Sequence, residues 1–376
     1  MMEKERKKIK LVDICEISKG SQLNRTDMVD DGKYYVQNGG IDISGYTNEY
    51  NTEENTISIS EGGNSCGYVN YNKEKFWAGG HCYRLINIVD GVYVKYLYHV
   101  LKYKQNDIMN LRVGSGLPNI QKKDIEKLKF YLPDFKIQKR IGDLLDLVDE
   151  IIEKYDVLLQ EYQQLVKSQF VEMFGNKNFE KVELKSVSEV KGRVGWKGYT
   201  KADLRDSGPL VLGATHLSDD GLIDLSEPVF LSREKYEESP EIMIEKNDII
   251  FAQRGSLGKI GLVKDDLGDA TINPCVLILR PHNINPEFFR YLLIMEYDSG
   301  NLARLNSGST IPMISQKTIG EFKIILPDQN LQNKFAEFVK VIDKLKFALE
   351  KQKENYVNLK KGLMQQLLTG KIEINI

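Results

Sequence analysis

The chain is poor in the residues from which most active centres are assembled. Its 376 residues include four histidines and four cysteines, and neither set is clustered. His81, His99, His216 and His282 fall far apart, with no H-x-x-x-H or E-x-x-H spacing to hold a metal ion on one helix face. Cys15, Cys66, Cys82 and Cys275 form no C-x-x-C pair. Reduced thiols of a cytoplasmic protein are expected, rather than a zinc site or a disulfide framework. No run approaches 18 apolar residues, which argues against a membrane span, and the opening Met-Met-Glu-Lys-Glu-Arg-Lys-Lys lacks the apolar region of a secretory signal. Gly255-Ser256-Leu257-Gly258-Lys259 is glycine-rich but lacks the spacing of a phosphate-cradling G-x-x-x-x-G-K-[ST] loop. Asn273-Pro274-Cys275-Val276 lacks the second proline and the aromatic with which N-P-P-Y clamps a flipped base. Catalysis by this chain alone is therefore not expected.

A strong excess of one charge is also missing. The net charge is −2, and residues 1–132 carry 19 Lys/Arg against 17 Asp/Glu, so a nucleic-acid face must be a local patch.

What the sequence does contain is a duplication. Over residues 133–175, Ile141, Val148, Tyr155 and Tyr162 recur every seven positions. Leu144, Ile151 and Leu158 form a second row, with Leu145, Ile152, Leu159 and Val166 beside it. Interleaved rows of this period place the apolar groups on one helical stripe, the pattern of a coiled coil. At roughly 1.5 Å per residue the helix would be on the order of 55 Å long. Residues 327–370 repeat the rule with Phe335, Ile342, Leu349 and Tyr356, flanked by Phe338, Leu345 and Leu359. A shift of 194 positions lays Pro133 on Pro327, Gln138 on Gln332 and Tyr162 on Tyr356. Each helix opens with Leu-Pro-Asp, in which proline ends the preceding segment and aspartate is placed to cap.

The segments before the helices repeat as well. Thr56–Ser60 alternates as a half-buried strand, and Asp248–Ala252 is a strand into a glycine-rich loop. Ala270–Leu279 matches Trp77–Ile86, and helical spacing at 94–103 answers that at 288–297. Residues 21–50 read as turn-rich. The expectation is an α+β chain with a pseudo-two-fold internal repeat. Two α/β recognition domains (1–132 and 176–326) are separated by two long antiparallel coiled-coil helices (133–175 and 327–370), with a tail at 371–376. The two halves keep their frame but differ in nearly every polar side chain between.

Those differing loops hold groups suited to phosphates and base edges. In the first half these are Lys19, Ser21, Arg25, Asn64, Tyr68, Arg84, Arg112 and Ser115. In the second they are Arg193, Lys197, Arg254, Ser256, Lys259, Arg304 and Ser309.

Gly114-Ser115-Gly116-Leu117-Pro118-Asn119-Ile120, then Ile125, Leu128, Leu132 and Pro133, then Gln138 and Ile141 opening a long helix, resembles the specificity subunit of Type I restriction-modification enzymes. So do Gly308, Ser309, Pro312, Ile314, Ile319, Phe322, Leu326, Pro327, Gln332 and Phe335. Met313 stands where the family has Asn, and Gly116 where Thr is common. The resemblance implies a non-catalytic DNA-recognition subunit, each domain reading one half of a bipartite double-stranded target. It further implies that the helices set the spacing and dock two modification subunits. S-adenosylmethionine, ATP and Mg would reside on partner subunits, none on this chain, and two ATP-driven restriction subunits can join such complexes. Two other readings stay open on the residues alone: a coiled-coil scaffold with two protein-binding domains, and a nuclease whose carboxylates show no recognisable spacing.

Overall fold

The computed structural model describes residues 8–114, 116–175, 177–193, 199–306 and 312–371. Ser115, Lys197, Ser309 and positions 372–376 of the expected tail lie outside the described residues. The chain forms two compact units, one of Met1–Asp156 with Glu350–Ile376, the other of Val157–Leu349. Each long helix thus contributes one stretch to each unit.

In unit 1, β1 (Lys8–Lys10), β2 (Glu16–Lys19), β3 (Tyr34–Gln37), β4 (Gly45–Thr47), β5 (Thr56–Ser60), β6 (Val69–Asn72), β7 (Trp77–Ala78), β8 (Cys82–Ile86) and β9 (Lys129–Tyr131) are followed through α1 (Val94–Tyr103), α2 (Gln105–Met109) and α3 (Lys122–Ile125) to the long α4 (Phe135–Phe170). An antiparallel sheet runs in the order β2-β8-β5-β6, a smaller sheet in the order β4-β3-β7, and β1 pairs with β9. Residues 21–50 therefore hold two strands that their turn-rich composition conceals. β5 corrects a second expectation: all five of its residues are buried instead of alternate ones. Its polar face is covered and satisfied, Ser58 Oγ accepting from Asn72 Nδ2 at 3.0 Å and Ser60 Oγ donating to the Gly39 carbonyl.

Unit 2 repeats the order. Its strands are β10 (Lys181–Glu183), β11 (Ser188–Lys191), β12 (Leu204–Leu212), β13 (Phe230–Leu231), β14 (Ile249–Ala252), β15 (Ile260–Leu262), β16 (Ala270–Ile272), β17 (Val276–Pro281) and β18 (Lys323–Ile325). Its helices are α5 (Arg233–Glu237), α6 (Pro286–Asp298), α7 (Gln316–Gly320) and the long α8 (Gln329–Leu367). The sheets run β11-β17-β14-β15 and β13-β12-β16, with β10 on β18. In both smaller sheets the middle strand is antiparallel to one neighbour and parallel to the other. The pairing topology of the two units is the same strand for strand.

One buried glutamine anchors each long helix. Gln138 Oε1 accepts from the Tyr93 N–H at 2.9 Å, while its Nε2 donates to the carbonyls of Gly91 (2.9 Å) and Pro133 (2.7 Å). Gln332 accepts from the Asn285 N–H at 2.8 Å and donates to the Pro327 carbonyl at 2.7 Å. In both, an amide at the helix start fixes the chain entering α1 or α6, because an unpaired buried amide there would cost more than the bonds return.

Within unit 1, Ile141 and Leu145 of α4 share a core with Met364 and Leu367 of α8. Asp149 pairs with Lys360 and Asp156 with Lys353, one heptad apart and running in opposite directions, which makes the helices antiparallel there. Within unit 2, Val166 and Phe170 meet Phe335, Val339 and Ile342, with the Phe170 and Phe335 rings 5.4 Å apart. Tyr162 and Phe338 pack against that core partly buried, and Tyr155 lies 5.8 Å from the Tyr356 ring in unit 1. One expected packing row is corrected. Leu144, Leu158, Leu345 and Leu359 are exposed, and Ile151 and Leu349 only half-buried, whereas Ile141, Val148 and Ile342 are buried. The globular parts and the partner helix cover two sides of each stripe; the third turns outward. Among the described residues no helix is long and apolar enough to cross a membrane.

Candidate nucleic-acid interface

Strand register places four chain segments at one end of the larger sheet in each unit. In unit 1 these are the end of β2, the loop after β5, the start of β8 and the stretch before α3. Lys19 lies opposite Tyr83, and Ser60 opposite Cys82. The loop after β5 is tied to the stretch before α3 by Gly63 N–H to the Pro118 carbonyl (2.9 Å) and Ile120 N–H to the Glu61 carbonyl (2.9 Å). Unit 2 makes the equivalent tie, Ile314 N–H to the Gln253 carbonyl at 3.0 Å, and Arg254 bridges Met313.

This end of unit 1 gathers Lys19, Ser21, Asn64, Tyr68 and Arg112. A buried carboxylate organises it: Glu61 takes Lys19 Nζ at 2.6 Å, Tyr83 Oη at 3.1 Å and His81 Nδ1 at 3.4 Å. Burial and then Glu61 push the Tyr83 hydroxyl up to about 12, so it stays a donor. Tyr68 is faced by Lys102 Nζ at 3.7 Å, and burial lowers that amine to about 8. Arg25 lines a separate polar hollow of about 470 Å³ with Gln22, Asn24, Asn38 and Ser44. Asn38 connects that hollow to the rim by accepting from His81 N–H at 3.4 Å.

Arg84 is set to a different task from the one its type suggested. Its guanidinium donates to the Asn51 carbonyl (2.6 Å), Thr52 Oγ1 (3.2 Å), Ser18 Oγ (3.2 Å) and the Lys19 carbonyl (3.3 Å), and so braces the sheet.

In unit 2 the rim carries Arg193, Arg254, Ser256 and Lys259. Arg193 Nε donates to the Ile272 carbonyl at 3.0 Å, its guanidinium is 5.8 Å from the Tyr199 ring, and burial lowers its pKa. Arg254 Nη2 is 3.1 Å from Met313 Sδ, leaving the rest of an exposed guanidinium outward. Lys259 is held by Asp219 at 2.7 Å, and Ser256 is exposed. Arg304 sits on a turn connected to the rim through Asn306, whose side chain accepts from Met313 N–H at 3.0 Å.

Sequence reasoning missed Glu61, His81 and Leu117. Glu61 was legible as a carboxylate directly after an alternating strand, and Leu117 as an apolar group beside Gly116 and Pro118; it is 86% exposed, a group able to meet a thymine methyl. Among the described residues, both rims are short arrays of donors and cations. Among the described residues no cluster of three His, Cys, Asp or Glu could hold a metal ion.

A family model described as "Type I restriction modification DNA specificity domain" matches residues 3–160 and again 176–359. The MjaVIII type I restriction enzyme specificity subunit of Methanocaldococcus jannaschii is 29% identical over 299 residues, spanning 74% of this chain and 70% of that one. A putative type I specificity subunit of Mycoplasma pneumoniae, S.MpnORF638P, is 35% identical over 156 residues. That match spans about two-fifths of each chain, 40% of this one and 41% of the relative. In fold, the chain resembles the crystal structure of a Type-I restriction-modification S subunit from M. genitalium, with a TM-score of 0.63 at 23% identity over 100% of this chain and 99% of that one.

Proposed function

The chain belongs to the type I restriction-modification DNA specificity family, whose members recognise DNA and do not catalyse, and from that premise we propose that each unit reads one half of a bipartite double-stranded target. The observation that carries this is the duplicated rim: one strand topology presents Lys19, Asn64 and Arg112 at the sheet end of one unit, and Arg193, Arg254 and Ser256 at that of the other. Identical frames with unlike donors are what reading two unlike half-sites requires, since base edges are told apart by the donor pattern that meets them.

In this reading the two long helices set the half-site spacing, as fixed geometry does in other two-site DNA readers. Their exposed leucines, Leu144 and Leu359 in one unit and Leu158 and Leu345 in the other, support docking of modification subunits, two per chain, because exposed apolar groups mark protein contacts. Those subunits would carry S-adenosylmethionine and flip and methylate the target base. ATP and Mg would serve restriction subunits.

The test is an exchange of residues 1–132 for the same segment of another family member, with the methylated sites of the reconstituted complex mapped. One half-site changes while the other half and the spacer stay. A change in both halves overturns the reading.

A further inference from the structure

Each unit has a hollow between its larger sheet and its long helix, and the two hollows are equivalent by register. Asn55 and Asn247, both in left-handed conformation (φ 56° and 74°), open them. Tyr71 lies opposite Ile57 in unit 1 and Leu262 opposite Ile249 in unit 2, with Lys73 and Lys264 two residues further on. The 194-residue offset then sets Lys340, Lys344 and Phe347 of α8 where α4 has Asp146, Glu150 and Glu153. The same place in the fold carries opposite charge in the two units.

The unit 1 hollow, about 340 Å³, is acidic, with most of its carboxylates taken up: Asp146 meets Lys95 at 2.6 Å and His99 at 2.7 Å, Glu153 approaches Lys73 at 3.8 Å and Asp149 pairs with Lys360, while Glu150 has no ion-pair partner among the described residues. The unit 2 hollow, about 640 Å³, is basic. Lys264 is taken up by Glu287 at 2.9 Å and by Asp343, but Lys246, Lys340 and Lys344 have no ion-pair partner among the described residues. Its apolar wall is Leu262 and Pro286, with Phe347 69% exposed at the rim.

We infer that the unit 2 hollow docks an acidic segment of a partner protein carrying one large apolar side chain, and that the unit 1 hollow rejects the same segment. Unpaired lysines around an apolar wall fit carboxylates flanking a leucine or phenylalanine, whose burial supplies most of the affinity while the charges choose the partner. A nucleic-acid backbone fits less well, since it offers no apolar side chain to cover Leu262, Pro286 and the exposed Phe347 ring. The consequence is asymmetry: a partner that binds both halves alike must do so elsewhere on the helices. The inference is independent of which DNA each rim reads.

The experiment uses the full chain and a fluorescein-labelled octapeptide, Asp-Glu-Asp-Leu-Phe-Glu-Asp-Glu, followed by anisotropy. The wild type binds it, the K340E/K344E double variant binds about tenfold more weakly, and F347S loses several-fold even at high salt, where exposed charges are screened. The D146K/E150K variant, altered only in unit 1, gains a second equivalent of peptide. Circular dichroism confirms that the variants, all at partly or fully exposed positions, remain folded. No binding by the wild type, or undiminished binding by K340E/K344E, overturns the inference. So does a mixed-sequence 12-base-pair DNA duplex that loses as much affinity as the peptide on the same reversal, because the hollow would then be a nucleic-acid surface. In every variant the methylated sequence of the reconstituted complex stays as in the wild type, which separates this test from that of the half-site reading.

Discussion

Asp149 of the first long helix and Lys360 of the second form an ion pair across 211 positions of chain, and Asp156 and Lys353 form the next, seven residues along each helix. The helices are thus matched in antiparallel register by charge as well as by apolar contact. Asp149 and Lys360 are mostly buried side chains, at 27% and 17% exposure, so the pair is shielded from solvent more than a surface bridge.

The first prediction is a coupling between them. In a double-mutant cycle of Asp149→Asn and Lys360→Gln, an interaction of about 1 kcal/mol is expected, the top of the exposed-pair range, because of the shielding. Exchanging the two residues recovers most of the stability lost by Asp149→Lys alone. Urea midpoints check this; purely additive single changes would mean that the register rests on apolar contact only.

The second concerns the anchoring glutamines. Gln138→Ala strips partners from the Tyr93 N–H and from two carbonyls, Gly91 and Pro133, and Gln332→Ala does the same for the Asn285 N–H and the Pro327 carbonyl. Each is expected to cost about 2–3 kcal/mol, since buried groups are left unpaired. Gln138→Leu, which keeps the bulk, should cost nearly as much. If it were harmless, the residue would be filling space and not bonding.

These features differ in how far the sequence discloses them. The duplication and both long helices are plain from heptad rows and from a 194-residue shift, because helical period and a buried Gln survive in a single chain. The strands at Tyr34–Gln37 and Gly45–Thr47 are not, because short strands among Asn, Asp and Gly carry turn composition, and the second partner of Tyr34–Gln37, Trp77–Ala78, lies far along the chain. The candidate site divides in the same way. Arg112 and Arg254 sit on loops and stay outward, as their position in the sequence implies. Arg84 looks no different as a residue type, yet Asn51, Thr52 and Ser18 consume it, partners that only the tertiary fold brings together.

That contrast gives the third prediction. Arg84→Ala should cost about 2 kcal/mol of unfolding free energy through its unpaired sheet partners, and alter DNA affinity only as far as folding is lost. Arg112→Ala and Arg254→Ala should leave the urea midpoint within about 0.5 kcal/mol, as exposed positions do. Each should nevertheless weaken DNA binding by the complex, by about 1–3 kcal/mol where the group meets a base, or with a salt slope lower by about one where it meets a phosphate. The reverse ranking would move the interface away from the rims.

The fourth is a pH dependence at the join between α8 and the loop before β13. Lys346 Nζ lies 2.8 Å from Asp220 Oδ2, and Ser218 Oγ donates to Oδ1 at 2.6 Å. Burial alone would raise the Asp220 carboxyl, but Lys346 and Ser218 outweigh it and hold the group below its usual range. A carboxyl depressed in the folded state adds stability that is fully present above its unfolded value of about 3.9 and is lost as pH falls through the folded value. Lys346→Met removes the cation while burial remains, so the sign reverses: the carboxyl rises and binds its proton in the folded state first. At pH 7 the variant is expected to be about 3 kcal/mol less stable, the low end of the cost of stranding one member of a buried pair. Between pH 7 and pH 4 the gap should close, as the variant gains from protonation before the wild type loses. Urea midpoints of both proteins at the two pH values decide it; a gap that stays constant would show that Asp220 does not titrate against Lys346.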